Sequence, residues 1–292
     1  MIITGTTQVY AIAADPVAQV RAPEVFNHIF NRHGIDAVMV PMQVGASEVI
    51  DWTREFFRAR NAGGVILSIP NKSAVMSALA RCDDLGRTMG AVNVIRRLPD
   101  GNLEGALFDG EGFVLGMEAD DLAYKARHAL ILGAGGAGSA ISASLARRGV
   151  ASITLYDPVP GKAAEVAERV QAAFGIPCSA AQSNSPKGFG LVINASPLGL
   201  GPRDAFPFDP AQLSPGATVC DILMKNQPTS LLRTVRALGG AAQPGFEMLI
   251  QQIPLHLDFF GHVEPARRVQ QELGLLRELL YPKALRESWA QA

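Results

Sequence analysis

The chain predicts an α/β protein of two domains built around parallel sheets, and three features carry that prediction. Its 292 residues are more than one domain of about 100–200 residues takes up. Short apolar runs alternate with segments of helical periodicity along most of the length, the pattern of repeated strand–helix–strand units. Hydrophobic residues make up 48% and charged residues 18%, enough apolar side chain for a core in each domain and too little charge for a disordered chain.

Val9–Ala14 reads as the first strand. Pro23 begins a helix through "EVFNHIFNRHG", which stops at Gly34. Ile35–Val40 is a second strand. The stretch "ASEVIDWTREFFRARNAGG" has helical spacing, puts Trp52, Phe56 and Phe57 on its core face and closes on two glycines. Val65–Ile69 is a third strand ending at Pro70, "KSAVMSALA" a helix, and Val92–Arg96, "PDG" and Leu103–Leu107 a hairpin. From Asp109 the chain changes character. A helix over "GEGFVLGMEAD" leads to a strand at His128–Leu132, a glycine-rich turn, and a helix over "GSAISASLARRG". A strand "SITLYD", a helix over Ala163–Ala173, and strands at Leu191–Asn194 and Thr218–Leu223 follow. The tail from Phe246 reads as helical, interrupted at Pro254, Pro265 and Pro282.

Charge excludes several function classes. The 26 basic and 27 acidic residues leave a net charge of −1 with no block of one sign, so neither nucleic acid nor an anionic membrane is an expected partner. No run approaches the roughly 18 apolar residues of a spanning helix. Cys82, Cys178 and Cys220 are scattered without a CxxC pair, which points to a reducing compartment and not a disulfide framework. The opening "MIITGTTQVY" lacks the basic-then-apolar layout of a signal peptide, so a cytoplasmic protein is expected. The five histidines, His28, His33, His128, His256 and His262, have no metal-ligand spacing, and no metal is expected. His256 and His262 read as ordinary helix residues.

The turn "ILGAGGAG" raises the first functional expectation. Gly133, Gly135 and Gly138 fit G-x-G-x-x-G between a strand and a helix, and Ala134, Gly136 and Ala137 keep the same loop small. Such a loop turns sharply, lets a pyrophosphate approach the backbone, and aims the N–H groups of a helix N-terminus at it. Asp157 lies about 20 residues on, where an acid accepts the ribose hydroxyls of NAD. A carboxylate there favours NAD over NADP, and Lys162 nearby blunts that preference. NAD is the expected cofactor, with NADP possible.

Lys72, Asn93 and Asp109 each stand at the end of a predicted element, where open α/β sheets bind ligands. Singly they are unremarkable. Together the motifs around them resemble, in order and over nearly the whole chain, the shikimate/quinate dehydrogenase family. "ADPVAQVRAP" is similar to the family's Asn-Pro-Ile-x-x-Ser-x-Ser-Pro loop, "VILSIPNK" to Asn-Val-Thr-Val-Pro-Phe-Lys, and "GAVNVI" to Gly-Ala-Val-Asn-Thr. "GALFDGEG" resembles Gly-Asp-Asn-Thr-Asp-Gly, "LVINASPLGL" Asn-Ala-Thr-Pro-x-Gly-Met, and "GFEMLIQQ" Gly-x-x-Met-Leu-x-x-Gln. The resemblance implies a substrate-binding catalytic domain from residues 1–108 plus 246–292, whose C-terminal helices pack back on its N-terminal part. It implies a Rossmann NAD(P)-binding domain over 109–245 and an active site in the cleft between the two.

By the same resemblance Lys72 and Asp109 are a catalytic pair for hydride transfer between NAD(P) and a hydroxylated cyclic acid. The lysine handles the proton of the reacting oxygen and the carboxylate orients it. Ser68, Asn93 and Gln252 match positions that bond ring hydroxyls. Asn194, Ser196 and Met248 fall on the cofactor side. The expected assembly is a monomer or a homodimer.

Departures cluster on the substrate side. The family's two carboxylate-binding serines fall at Val20 and Ala22, and its polar stretch before the acid reads Ala106, Leu107 and Phe108. A tyrosine reads as Met224 and the aromatic before the lysine as Asn71. Arg21, between the replaced serines, is either a bidentate carboxylate partner or a surface residue. The expectation is a retained reaction with an altered carboxylate pocket. The alternatives are another two-domain NAD(P) dehydrogenase, such as a folate-interconverting enzyme, and a non-catalytic NAD(P)-binding sensor.

Overall fold

The computed structural model describes residues 2–201 and 203–289. The chain divides into two compact units, Met1–Phe108 with Ile253–Leu279, and Asp109–Gln252 with Leu280–Ala292. Residues 246–252 and 280–292, assigned from the sequence to the first domain, therefore group with the second unit.

The first unit is built on a mixed six-stranded sheet. Its elements are β1 (Gln8–Ala14), α1 (Ala22–Arg32), β2 (Ala37–Gln43), α2 (Val49–Phe56), β3 (Ala62–Leu67), α3 (Asn71–Ala74), β4 (Arg81–Cys82), α4 (Asp84–Met89), β5 (Val94–Arg97) and β6 (Leu103–Ala106). The strand order is β2-β1-β3-β5-β6-β4. β1 is parallel to β2 and β3, while β5 is antiparallel to both β3 and β6. One face of this sheet holds a core of Val65, Leu67, Val75, Val92, Ile95 and Leu103, with Trp52 and Phe56 packed against it.

Three sequence expectations shift here. The glycines taken as the close of α2, Gly63 and Gly64, lie inside β3. They are small because a Cβ at either would overlap the ring of Tyr10 or Phe260. The helix expected over residues 72–80 breaks after Ala74 into a short 3-10 turn, Val75–Ala78. Sheet pairing outweighs helix propensity there: the Ala80 amide donates to Leu103 and Arg81 pairs with Glu104. The helix α4 was not foreseen, although Asp83 caps it by accepting the Gly86 amide at 3.0 Å and Gly90 ends it in the left-handed region.

The second unit holds α5 (Asp109–Ala119), β7 (His128–Leu132), α6 (Gly136–Arg147), β8 (Ser152–Tyr156), α7 (Lys162–Phe174), β9 (Cys178–Ala180), β10 (Leu191–Asn194), β11 (Thr218–Asp221), α8 (Ser230–Ala237) and β12 (Ala241–Pro244). All six strands are parallel, in the order β12-β11-β10-β7-β8-β9. The order reverses between β7 and β10, the crevice where doubly wound sheets bind nucleotides. Leu130, Leu132, Val192, Val219, Leu231 and Val235 fill the core on one face. Against the sheet's other helices, α5 lies so close to α6 that a Cβ at Gly110 would overlap the Ala140 carbonyl. Glu111 then reaches Arg147 at 2.6 Å and Arg148 at 2.8 Å, which fixes the rotation of α5.

The tail comprises α9 (Phe246–Phe259), α10 (Val263–Gln271), α11 (Leu273–Leu280) and α12 (Lys283–Trp289). The unit division falls inside α9, after Gln252. Only Pro282 interrupts this tail. Pro254 lies within α9, where it removes one helical bond, and Pro265 sits in the first turn of α10, where its missing N–H is not needed. His262 is not in a helix body but precedes α10, with Tyr10 Oη 2.8 Å from its Nε2. Among the described residues no helix is long and apolar enough to cross a membrane.

The α5–α6 contact gives a stability prediction. Gly110→Ala is expected to destabilise the protein by about 3 kcal/mol, because a backbone carbonyl must move. Gly135→Ala, where an added Cβ meets nothing, is expected to stay within about 0.5 kcal/mol. Urea unfolding of both variants checks the contrast.

Candidate functional site

At one end of the first unit's sheet, backbone bonds gather the motifs that the sequence singled out. Ser68 follows β3, its amide donating to Ala13 at 2.9 Å and its carbonyl accepting the Asn71 amide at 2.9 Å. Lys72 comes next, half-buried, and its carbonyl accepts the Val92 amide at 2.9 Å. Asn93, beside Val92, bonds by its backbone to Leu67 and Ala106, and its Oδ1 accepts the Phe108 amide at 2.8 Å. Asp109 is the residue after Phe108. It opens α5 and is only 4% exposed.

The substrate-side departures are placed as follows. Val20 is half-buried in the turn before α1, and Ala22 is buried as the first residue of that helix. Arg21 donates from Nε to Glu24 Oε2 at 2.8 Å, so of its two readings the structure has the surface ion pair. Asn71 is fully buried. It donates to the Val44 carbonyl at 2.8 Å, while its own carboxamide oxygen has no protein partner. Met224 is half-buried in the segment after β11. Gln252 is buried and donates to the Met248 carbonyl at 3.0 Å. A Cβ at Gly112 of α5 would overlap the same carbonyl, so Asp109, Met248 and Gln252 sit on neighbouring helices of the second unit.

Sequence reasoning missed His256. It is one turn beyond Gln252 on α9, so the spacing was readable, but its burial was not. Its Nε2 lies 3.5 Å from Asn93 Nδ2, and its ring is 5.6 Å from that of Phe108 and 6.1 Å from that of Phe26. An imidazole that accepts from Asn93 through Nε2 carries its proton on Nδ1. Phe108 and His256 thus form an aromatic wall where the family has small polar side chains.

The second unit carries the glycine-rich loop between β7 and α6. Gly133 has φ +101°, and a Cβ there would stand 2.6 Å from the Ala195 carbonyl. A Cβ at Gly138 would overlap the Gly133 carbonyl, which closes helix on strand. Gly135, by contrast, faces open space, and no side chain caps α6. Ala134, Gly136 and Ala137 complete a bare, concave backbone with N–H groups at a helix N-terminus, the fit a dinucleotide pyrophosphate needs.

Asp157, at the end of β8, accepts the Ala134 amide at 2.8 Å and the Val159 amide at 3.0 Å, with Lys162 Nζ at 3.4 Å. Burial alone would raise its carboxyl, but these two amides and the ammonium together hold it below the usual carboxylate range. Asn194 ends β10, its Oδ1 accepting from Ser196 N at 3.1 Å and Ser196 Oγ at 2.6 Å. The Ala195–Ser196 turn lies directly against Gly133. The loop, Asp157 and this turn occupy adjacent strand ends at the point where strand order reverses.

Comparison with known proteins agrees with this layout. Residues 12–95 match the shikimate dehydrogenase substrate binding domain. The shikimate dehydrogenase (NADP(+)) of Rubrobacter xylanophilus is 32% identical over 255 residues, covering 86% of this chain and 89% of that protein. The shikimate 5-dehydrogenase of Listeria monocytogenes, solved in complex with shikimate and NAD, superposes with a TM-score of 0.82 at 25% identity, covering 93% of this chain and 98% of that one. The ligand-free 5-ketofructose reductase of Gluconobacter sp. strain CHM43 superposes at 0.80 with 26% identity, covering 91% and 98%. With six motifs in order, both sheets in place and a relative this similar over most of its length, the chain belongs to the shikimate dehydrogenase family of oxidoreductases.

Proposed function

We propose that this protein catalyses reversible hydride transfer between NAD and the secondary alcohol or ketone of a hydroxylated cyclic acid, with Lys72 and Asp109 as its catalytic pair. The observation that carries the reading is the convergence of Lys72, Asn93 and Phe108 at one sheet end, fixed by the Val92–Lys72 and Phe108–Asn93 bonds. The dinucleotide, when bound, supplies or takes up the hydride. Lys72 as ammonium stabilises charge developing on the carbonyl oxygen and delivers its proton, and in the other direction the neutral amine receives it. Asp109, the first residue of a helix whose rotation is pinned by Gly110 and Glu111, holds its carboxylate where it orients the lysine or the reacting hydroxyl.

The substrate pocket is the part that departs from the family. Val20 and Ala22 carry no hydroxyl for a substrate carboxylate, Arg21 is engaged by Glu24, and Phe108 and Met224 are apolar. Each lost charge-assisted bond is worth roughly 1.5–3 kcal/mol, so two weaken shikimate binding by about 10²–10⁴-fold. The relation to a 5-ketofructose reductase supports a changed substrate on this fold. The favoured substrate is a hydroxylated ring acid or polyol with one less polar face, set against Phe108 and His256.

The cofactor reading rests on Asp157. Its carboxylate, held ionised by backbone amides, sits where NADP would place a second phosphate, and Lys162 offsets that repulsion only in part. NAD is therefore preferred, although the curated relatives carry NADP(+) in their names.

A turnover screen with both cofactors against shikimate, quinate and less polar hydroxy acids tests the pocket. Poor shikimate turnover beside a better substrate is expected, and an ordinary micromolar Michaelis constant for shikimate would refute it. Lys72→Ala is expected to lower kcat by about 10²–10⁴-fold with NAD affinity nearly unchanged; unchanged kcat would remove Lys72 from the mechanism. Asp157→Ser is expected to cut the NAD over NADP preference in kcat/KM by about tenfold or more. A wild-type enzyme that already prefers NADP would overturn the cofactor reading.

A further inference from the structure

We infer that Asp221 is a positioning residue for cofactor binding, anchoring through Asn194 the strand-end turn 194–198 that stands against the glycine-rich loop. The inference rests on the reading of that loop as the dinucleotide site. Asp221 ends β11 opposite Asn194 in the register of the sheet and is 1% exposed. Its Oδ1 accepts Asn194 Nδ2 at 3.1 Å and the Leu223 amide at 3.3 Å, and its Oδ2 accepts Thr229 Oγ1 at 2.7 Å.

Those bonds decide which way the Asn194 carboxamide points. A carboxylate only accepts, so the Asn194 amino group must face it. The Asn194 oxygen is then committed to the other side, where it takes both the amide and the hydroxyl of Ser196. Asn194 Nδ2 also donates to the Leu198 carbonyl at 3.0 Å, and Ser196 Oγ accepts the Leu198 amide at 3.2 Å, which closes the turn. Ala195 donates to Leu132 at 2.7 Å, beside Gly133. A reversed carboxamide would set an oxygen against the Asp221 carboxylate and strip Ser196 of its acceptor. The turn would then move relative to the loop it touches.

The carboxylate has no counter-charge. Asn194 meets it from β10, Thr229 from the start of α8 and the Leu223 amide from the following segment; Pro244 is its register partner on β12, and Lys225 beyond is exposed. The other titratable groups nearby are the Cys220 thiol, raised by burial, and Asp120, whose charge bears on Cys220. Burial pushes the Asp221 carboxyl up to about 6, with the bonds from Thr229, Leu223 and Asn194 opposing that rise. It is charged at neutral pH and protonated in mild acid, where its bond to Asn194 loses its charge assistance.

The sign separates positioning from mere structural support. A carboxyl raised in the folded state stabilises the fold as pH drops below about 6 and loses that contribution as pH rises through the same value. Acid thus favours the fold at this residue while it loosens the turn. A purely structural Asp221 would leave cofactor affinity untouched by the same titration.

The test is calorimetric binding of NAD to the full chain between about pH 5 and 8, for wild type, Asp221→Asn and Asp221→Ala; NAD has no group titrating in that window. In wild type the Kd is expected to rise about threefold or more on acidification, and the Asp221→Asn profile to be flat. Asp221→Ala is expected to weaken NAD about tenfold at every pH. A flat wild-type profile, or the same slope in Asp221→Asn, overturns the inference; should Asp221→Ala fail to fold, those two profiles still decide it. Absence of NAD binding by wild type at any pH removes the dinucleotide reading and this inference with it.

Discussion

The Lys72 carbonyl takes the Val92 amide, and the Asn93 side-chain oxygen takes the Phe108 amide. These two bonds bring segments some twenty and thirty-six residues downstream of the lysine to its side, a separation that follows from the numbering. Neither bond can be lost without leaving a buried polar group unpaired, which costs about 1–3 kcal/mol. The sheet end is therefore rigid at the atoms that carry Lys72, Asn93 and the start of α5. The proposed chemistry requires that rigidity, because a proton is passed only between groups held within hydrogen-bond reach.

The second unit solves a related problem with two acids at neighbouring strand ends. Asp157 and Asp221 differ in environment more than in position. Asp157 accepts two backbone amides and has an ammonium at 3.4 Å, so ionisation is favoured. Asp221 accepts an amide, a carboxamide and a hydroxyl but meets no cation, and its burial wins. One acid is thus a fixed charge facing a ribose site, and the other is a titratable strut behind a turn. Residue type alone could not have separated them.

Local periodicity and strand-end motifs made most of the fold readable. Strands β7, β8 and β10, the helix after the glycine loop, and the change of character at Asp109 follow from apolar period and turn residues. What stayed hidden was set by contacts distant in sequence. Gly63 and Gly64 look like a helix stop until the Tyr10 and Phe260 rings are seen covering them. The helix after Lys72 is cut short because Ala80 must reach Leu103. Pro254 looks like a break but is carried inside α9. In the site, Lys72, Asn93, Asp109 and the glycine loop were legible as motifs. His256 was passed over because its significance comes from Asn93, 163 residues away in sequence.

The pattern of departures separates two kinds of requirement within one reaction. Moving a hydride needs a proton donor, a carboxylate and a backbone cradle, and those side chains and glycines are all present. Recognising a particular acid needs hydroxyls placed around its carboxylate, and those are the positions that became Val20, Ala22, Phe108 and Met224. Apolar replacements at that place do more than omit bonds: they penalise any polar group set against them, since a desolvated carboxylate without partners is strongly disfavoured. The Phe108–His256 wall therefore selects against a fully polar ring face as firmly as it admits an apolar one. Discrimination on this scaffold lies in the walls around the substrate, while the lysine at their edge remains indifferent to which ring it serves.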